Sequence, residues 1–471
     1  MKLVGVIGAG AAGLCTTRHI LATSGLTPVV WEQSSDLGGT WRLSDDETEG
    51  IRSSVHSSMY QNLRTDLPKV MMAFPDFPFP EEGESFVHHT SVLKYLEDYA
   101  HHYDLLPWIL FGHHVDEVYP VMKKDGPPAW AVTVTNLASG MSSTTTCDAL
   151  LICNGHFTVP HVPHIDGIEN YKGHQVHSCN YHEPSPYGGS RVLILGAAAS
   201  GLDISLDLSS VVKEVLLSHN LPVSIPSEFP PNIHQVAGVV KATEDGFVFS
   251  DGTTALADTI MYCTGYKYEF PFLTEECGIQ VENNIVKPLY KHIINSTYPS
   301  MAFIGIPSRI IAFPLINYQV QYFLANLIGR VTLPTVEEMT AISQKCYGEW
   351  KQQGLLDKHF HMMHNDQWQY MDDLAAEAGL DKPPSFLKKM WDVVITRLFF
   401  SFPTFKSYEY SLKGDGTIVE TRYGKVVNTS WDIRKLVFQQ LIYLVWRDFS
   451  RVMYLVGSLL FKKMKKILHL S

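Results

Sequence analysis

The chain has 471 residues, 45% hydrophobic and 18% charged, enough for two or three domains with ordinary cores. A formal net charge of −11 argues against nucleic acid as the main partner, because binding a phosphate backbone requires clustered Lys and Arg. Seven cysteines (Cys15, Cys147, Cys153, Cys179, Cys263, Cys277 and Cys346) form no C-x-x-C pair and no zinc-type array, so they read as reduced thiols and leave any redox work to a bound cofactor.

The N-terminus, Met1 to Gly8, has too short an apolar run for a secretory signal and reads as a strand. Strand, glycine turn, helix and second strand then follow in order: Leu3–Ile7, Gly8–Gly13, a helix to about Leu21, and Pro28–Glu32. A Pro-rich aromatic loop (72–80) precedes a helix near Ser91–His102 and strands around Val115–Tyr119, Trp130–Thr135 and Ala149–Cys153. The Pro-, His- and Tyr-rich stretch 160–186 reads as a crossing between domains. Beyond it the first pattern repeats: strand Arg191–Leu195, turn Gly196–Gly201, a helix to about Leu208, and strand Glu214–Ser218. A strand at Asp258–Cys263 leads into a second crossing at Cys263-Thr264-Gly265-Tyr266, and roughly 290–430 is helix-rich.

The economical fold is therefore α/β, with two Rossmann-like dinucleotide-binding domains, the second inserted into the first, and a helix-rich C-terminal part. The expected boundaries are 1–165 for the first domain's opening part, 166–289 for the insert, 290–432 for the return, and 433–471 for a terminal tail. No segment reaches the roughly 18–20 uninterrupted apolar residues of a membrane span.

Gly8-Ala9-Gly10-Ala11-Ala12-Gly13 follows a strand and opens a helix. Its first glycine permits the tight turn, its second lets backbone approach a pyrophosphate, and its third lets helix pack on strand; free N–H groups and the helix dipole then favour phosphate. Glu32 ends the next strand, where a carboxylate can accept from both ribose hydroxyls. Gly38-Gly39-Thr40-Trp41 supplies a second glycine pair by which backbone can come close to the same cofactor. In the second turn, Gly196-Ala197-Ala198-Ala199-Ser200-Gly201, alanine replaces the middle glycine. The strand after it ends Ser218-His219-Asn220 without an acid, so a 2′-phosphate meets donors instead of a repelling carboxylate, which favours NADPH over NADH.

The spacing Tyr171-x-Gly173-x-x-x-His177-x-x-x-Tyr181 lies just before the second unit. It resembles the fingerprint of class B flavoprotein monooxygenases. Phe74–Pro80, Gly38–Trp41, Cys263–Tyr266, Pro288-Leu289-Tyr290-Lys291 and Phe303–Pro307 are similar to the flavin-containing monooxygenase branch, over about residues 1–335. Leu63–Lys69 looks more like the insect-type N-oxygenases of that branch.

The resemblance implies FAD in the first unit and NADPH in the second, with O₂ and a small amine or thioether as co-substrates. It further implies that NADPH reduces FAD, that reduced flavin and O₂ give a C4a-hydroperoxide shielded by NADP⁺, and that a nitrogen or sulfur lone pair attacks the distal oxygen. The expected cofactor contacts are Gly8, Ala9, Gly10, Ala11, Ala12, Gly13, Glu32, Gly39, Thr40, Trp41, Thr65, Asp66 and Leu67 for the first unit. Gly196, Ser200, Gly201, Leu202, Asp203, Ser218 and His219 are expected to serve the second. His177 is expected to link domains and serve NADP-dependent movement, without taking a proton. No metal-site spacing is present in the sequence.

Aligned on Thr65, Pro68, Lys69 and Met71-Met72, Asp66 resembles the position where the family places an Asn beside flavin and nicotinamide, and it is the expected catalytic residue. An Asn amide donates and accepts, whereas an ionised Asp only accepts. A carboxylate about 4 Å from a peroxide anion would be repelled by roughly 4 kcal/mol at an effective dielectric near 20. Either burial keeps Asp66 neutral and donating, or reducing equivalents leak as H₂O₂. If the register is shifted, Asn62 is the alternative occupant.

Three rival activities share parts of the pattern. A Baeyer–Villiger monooxygenase fingerprint typically ends in Trp-Pro, whereas this one ends Tyr181-His182. A disulfide reductase requires a redox cysteine pair that the sequence lacks, and a non-catalytic nucleotide sensor requires only the two turns. A weakly coupled NADPH oxidase is a further alternative. In the tail, ten largely apolar residues (452–461) run into Lys462, Lys463, Lys465 and Lys466, which suits a helix lying in a membrane surface or one packed on the body. The resemblance implies an intracellular chain, cytoplasmic or peripheral on the endoplasmic reticulum membrane, and leaves homo-oligomers open.

Overall fold

The structure, a computed structural model, describes residues 1–43, 57–124, 126–413 and 417–428; the expected membrane-binding tail lies outside the described residues. Two compact units result, Met1–Asn220 with Pro231–Pro383, and Leu221–Pro230 with Pro384–Ser471.

The first unit opens with β1 (Lys2–Ile7), α1 (Ala11–Leu21), β2 (Leu26–Trp31), α2 (Lys69–Met72), α3 (His89–His102) and β3 (Ile109–Leu110). An antiparallel triplet follows, β4 (His113–Val121), β5 (Ala129–Asn136) and β6 (Ser142–Cys147), and then β7 (Ala149–Ile152) and β8 (Val159–Pro160). Next come β9 (His174–His177), β10 (Arg191–Leu195), α4 (Ala199–Ser209), β11 (Glu214–Ser218) and β12 (Ile233–Val236). A second triplet, β13 (Val239–Ala242), β14 (Gly246–Phe249) and β15 (Thr254–Leu256), precedes β16 (Thr259–Tyr262) and β17 (Tyr266–Lys267). The hairpin β18 (Gln280–Glu282) and β19 (Ile285–Lys287) leads to β20 (Leu289–Tyr290), β21 (Ile294–Asn295), β22 (Met301–Phe303), α5 (Ala312–Leu327), α6 (Val336–Gln352) and α7 (Asp366–Ala378).

These strands form two main sheets, ordered β20-β21-β22-β7-β1-β2-β3 and β12-β11-β10-β16-β9. The α/β class and the pair of Rossmann-like units are as the sequence leads one to expect. The chain leaves the first sheet after β7, builds the second, and returns with β20 to β22. The two crossings run side by side, Val159 opposite Lys267 and Pro160 opposite Tyr266.

In each sheet an interior strand carries a glycine turn at its C-terminal end, flanked by parallel neighbours: β2 and β7 beside β1, and β11 and β16 beside β10. Such strands are covered on both faces, which explains their unbroken apolar runs. Val4, Val6, Leu150 and Leu151 are completely buried, as are Val192, Leu193 and Ile194.

Some boundaries shift from expectation. Helix α3 starts at His89, two residues early, because the His88 side chain accepts from the Thr90 N–H and caps it. The 290–430 region also ends in sheet rather than helix, and the sequence reading does not separate the second unit. That unit contains α8 (Ser385–Phe400) and the antiparallel β23 (Tyr408–Leu412), β24 (Ile418–Arg422) and β25 (Lys425–Asn428). Its core holds a buried Arg397–Glu420 ion pair at 3.2 Å, to which the Tyr410 hydroxyl also donates. Among the described residues, no helix is long and apolar enough to cross a membrane.

Candidate functional site

The two glycine turns are built alike. Gly8 and Gly196 have φ of +102° and +111°, left-handed values that favour glycine, and a Cβ on either would lie 2.6 Å from a carbonyl oxygen, Cys153 or Cys263 respectively. A Cβ on Gly13 would stand 1.8 Å from the Gly8 oxygen, and one on Gly201 the same distance from the Gly196 oxygen. The middle position differs in kind. Gly10 and Ala198 have extended backbones with φ of −76° and −90°, which any residue adopts, so the alanine costs the second turn no strain. Both helices begin without a side-chain cap, which leaves first-turn N–H groups free for an anionic ligand.

Strand register identifies the residues that correspond beyond the turns. The Gly8 N–H donates to Trp31 O at 2.8 Å, and the Gly196 N–H to Ser218 O at 2.9 Å. Glu32 and His219 therefore occupy equivalent places, one residue past their strands. Glu32 is 7% exposed. One carboxylate oxygen accepts from the Ala9 N–H at 2.7 Å, and the other accepts from the Ser34 N–H and hydroxyl at 2.8 and 2.5 Å. A carboxylate offers about four acceptor positions, so its capacity toward a ribose is smaller than the sequence alone suggests. At the second site His219 pairs with the Gln235 side chain at 3.1 Å. The Ser218 hydroxyl is buried and donates to Ala237 O at 2.8 Å, so its proton cannot serve a 2′-phosphate; the His219 Nε2 proton likewise goes to Gln235 Oε1, so a donor to a 2′-phosphate would have to be His219 Nδ1.

The second glycine pair lies directly on the first turn. The Gly38 N–H donates to Ala9 O at 3.1 Å, and a Cβ on Gly39 would lie 3.1 Å from Gly10 Cα. Thr40 continues into residues 57–66: its hydroxyl pairs with that of Ser58 at 2.9 Å, and its carbonyl accepts from the Ser57 hydroxyl at 2.9 Å. Trp41 packs edge-on against Phe313. Thr65 is buried and bonded both ways to Val87, which makes it a backbone anchor, and Leu202 is likewise a buried face of α4. Ser200, by contrast, is exposed at the α4 N-terminus. Asp203 accepts the Tyr60 hydroxyl proton, and Asn62 donates to Asp207 at 2.9 Å, so neither side chain is uncommitted.

Asp66 is half-buried, and the group opposite it is one that sequence reasoning missed. Arg309 is exposed to solvent; desolvation by the protein around it lowers its pKa, and the field of Asp66 opposes the lowering. Its backbone has φ of +57°, a conformation that costs a non-glycine residue about 1–2 kcal/mol. The neighbouring Ser308 holds it there, donating to His361 O at 2.9 Å and accepting from the Met363 N–H at 3.1 Å. The only signal in the sequence was that Arg309 follows the Phe303–Pro307 motif by two residues.

The fingerprint residues divide into packing and linkage. A Cβ on Gly173 would lie 2.2 Å from the Tyr171 hydroxyl oxygen, so the glycine makes room for the tyrosine, which donates to Ala257 O at 2.8 Å under the second sheet. His177 Nδ1 accepts from the Cys179 N–H at 3.2 Å, which places its proton on Nε2, 3.1 Å from Gly265 O at the second crossing. Burial lowers its pKa. Tyr181 is fully buried, and its hydroxyl donates to Asp207 at 2.6 Å.

A cavity of about 450 Å³ opens at the opposite end of α1, lined by Arg18, His19, Asp76, Asn317 and Arg330 among others. Helix C-termini repel anions, and an 11-residue helix is ~16 Å long, so this cavity is separate from the phosphate cradle.

Comparison with known proteins places this geometry. Residues 1–228 and 220–444 match the family described as flavin-binding monooxygenase-like. The flavin-containing monooxygenase FMO GS-OX5 of Arabidopsis thaliana is 38% identical over 395 residues, covering 80% of this chain and 84% of that protein. The solved S-allyl-L-cysteine S-oxygenase from Allium sativum is similar with a TM-score of 0.80 and 32% identity, covering 94% of this chain and 98% of that one. Tmm from Pelagibacter shares the fold, with a TM-score of 0.77 at 21% identity over 91% of this chain and 97% of that one. Matched along nearly its whole described length, the chain belongs to the family of flavin-binding monooxygenase-like proteins, whose cofactors are FAD and NADPH.

Proposed function

We propose that this protein is an NADPH-dependent monooxygenase that transfers one atom of O₂ to a nucleophilic sulfur or nitrogen of a small molecule. The observation that carries this reading is the pair of like-built turns with unlike ends, Glu32 at one and His219 at the other. A carboxylate suits a ribose with two free hydroxyls and repels a 2′-phosphate, whereas a histidine can donate to it. Glu32 and the N–H groups opening α1 would hold FAD, with Gly38 and Gly39 admitting it close to backbone. His219 and the N–H groups opening α4 would hold NADPH.

Bound FAD supplies the redox and oxygen chemistry, and the protein's residues orient the partners and exclude water. The overall balance is NADPH, H⁺, O₂ and substrate giving NADP⁺, water and the S- or N-oxide. Asp66 lies within the field of Arg309, whose positive charge would offset a carboxylate beside the reacting centre, where the family resemblance would put Asp66. This counter-charge is a third possibility besides a neutral Asp66 or a leaking site. Sulfur is the favoured acceptor, because the solved relative that covers 94% of the chain is an S-oxygenase.

The test offers a thioether, a tertiary amine and a ketone to the purified protein while following NADPH loss, H₂O₂ release and oxygenated product. Sulfoxide or N-oxide formed in step with NADPH loss is expected. Ester formed from the ketone alone would overturn the reading.

A further inference from the structure

Residues 57–66 join Thr40, which follows the glycine pair packed on the first turn, to helix α4, which follows the second turn. At one end Ser57 and Ser58 bond Thr40, beside the first turn. In the middle, two side chains reach helix α4 and one main-chain N–H reaches the end of the fingerprint segment. Tyr60 donates to Asp203, Asn62 to Asp207 at 2.9 Å, and the Gln61 N–H to His182 O at 2.8 Å. At the far end the Thr65 N–H donates to Val87 O at 2.9 Å, and Asp66 follows at once. Asp203 and Asp207 are one helical turn apart and face the same way, so both are fixed to the helix whose N-terminus forms the second turn. Two carboxylates on adjacent turns repel each other unless donors satisfy them. Tyr60 and Asn62 supply donors from the strap, and Tyr181 supplies one from the fingerprint, at 2.6 Å from Asp207. Tyr60 and Tyr181 are 4% and 0% exposed and pack edge to face, so the contact is dry and set in one geometry.

We propose that Tyr60, Asn62, Asp203 and Asp207 are positioning residues: they tie α4 to the strap, so that occupancy of the second turn fixes the placement of Asp66. Helix α4 moves as a rigid rod, and any shift that a bound phosphate imposes on its N-terminus is carried to Asp203 and Asp207, within two turns. The strap is anchored at Thr40 and, from Gln61 to Thr65, along residues 86–89, so a displacement at Tyr60 reaches Asp66 by shifting this bonded pair of segments together. The proposal rests on the assignment of NADPH to the second turn. It gives Asp203, which the sequence reading places among the cofactor contacts, a different task.

Hydrogen–deuterium exchange of the flavin-loaded protein, with and without saturating NADP⁺, tests the tie without relying on turnover. In the parent protein NADP⁺ is expected to slow exchange both in 196–209 and in 57–66. In Tyr60→Phe, which keeps the ring and loses one proton, protection of 196–209 is expected to persist. Protection of 57–66 is expected to fall by about fivefold, the factor that one net hydrogen bond represents. Asp203→Asn keeps an acceptor oxygen for Tyr60 and should retain the parent pattern, whereas Asp203→Ala should match Tyr60→Phe. Equal NADP⁺ protection of 57–66 in the parent, Tyr60→Phe and Asp203→Ala would overturn the proposal, as would its absence in a parent whose 196–209 region is protected. No protection of 196–209 in the parent would overturn the cofactor assignment itself, and the tie with it.

Discussion

Gly13 stands so close to Gly8 that a single added carbon would sit 1.8 Å from the Gly8 carbonyl oxygen, while the same carbon on Gly10 would meet nothing closer than Gly39 Cα at 3.5 Å. The two positions therefore fail in different ways. Gly13→Ala overlaps backbone that cannot yield and should lower the melting temperature, with a stability loss above the usual overpacking range of about 1–3 kcal/mol. Gly10→Ala makes an ordinary contact in the protein and should melt within a few degrees of the parent apoprotein, yet bind flavin weakly. Thermal unfolding of the apoprotein beside flavin per polypeptide checks both. Full flavin occupancy in Gly10→Ala would show that this turn does not approach the cofactor.

At the second turn, His219 carries the expected preference for NADPH. A hydrogen bond to a charged group is worth about 1.5 kcal/mol or more, so His219→Ala should lower kcat/KM for NADPH by roughly tenfold and leave NADH nearly unchanged. Ser218→Ala should change the ratio much less, because its proton already goes to Ala237. Steady-state kinetics with both nucleotides decides. A parent that uses NADH as well as NADPH removes the basis for the assignment.

Asp66 and Arg309 form a pair whose halves should act in opposite directions on coupling. If Asp66 stands beside the reacting centre, as proposed, Asp66→Asn removes a negative charge there and should lower the H₂O₂ released per NADPH consumed at neutral pH. Arg309→Met removes the positive field on Asp66 and should raise that ratio, while flavin content stays constant in both. Parallel peroxide and NADPH assays are sufficient. Identical leakage in the parent and both variants would separate this pair from the chemistry.

Acid should destabilise the fold through buried neutral histidines. Burial lowers His19, His156 and His292 to about 4 and His361 well below its ordinary value. His361 is locked neutral by geometry as well: its Nε2 accepts from the Val286 N–H at 3.0 Å, so its proton is on Nδ1, facing His292 Nδ1 at 2.9 Å. The unfolded chain takes up protons near pH 6.5 and the folded chain does not, so stability is full above that value and declines as pH falls toward 4. Denaturant unfolding at a series of pH values should show this slope. His19→Gln, which removes one titrating ring, should flatten it in part.

Much of this was legible in the sequence because glycine turns are local: six residues, a preceding strand and a following helix define both cradles without reference to the rest of the chain. The alanine at position 198 could be read correctly for the same reason, since its extended backbone is what the pattern implies. The pairing of Asp66 with Arg309 was not legible. The two are far apart in sequence, and Arg309 adopts its backbone angle only because Ser308 is held by the 361–363 loop. Nor could residue type show that the Ser218 proton was already used, or that Tyr60 and Asn62 bond to α4. Hydrogen bonds of that kind depend on which strands become neighbours, and composition carries no record of them.

The matched cradles also allow the two halves of the molecule to be compared position by position. Gly8, Gly13 and Cys153 in one half correspond to Gly196, Gly201 and Cys263 in the other, each meeting its counterpart contact at the same distance. Positions where main chain presses on main chain have kept the same residue in both copies. The positions proposed to meet the two nucleotides differ, Gly10 from Ala198 and Glu32 from His219. Comparing the halves thus separates what the turn's backbone requires from what each proposed ligand would require, within a single chain.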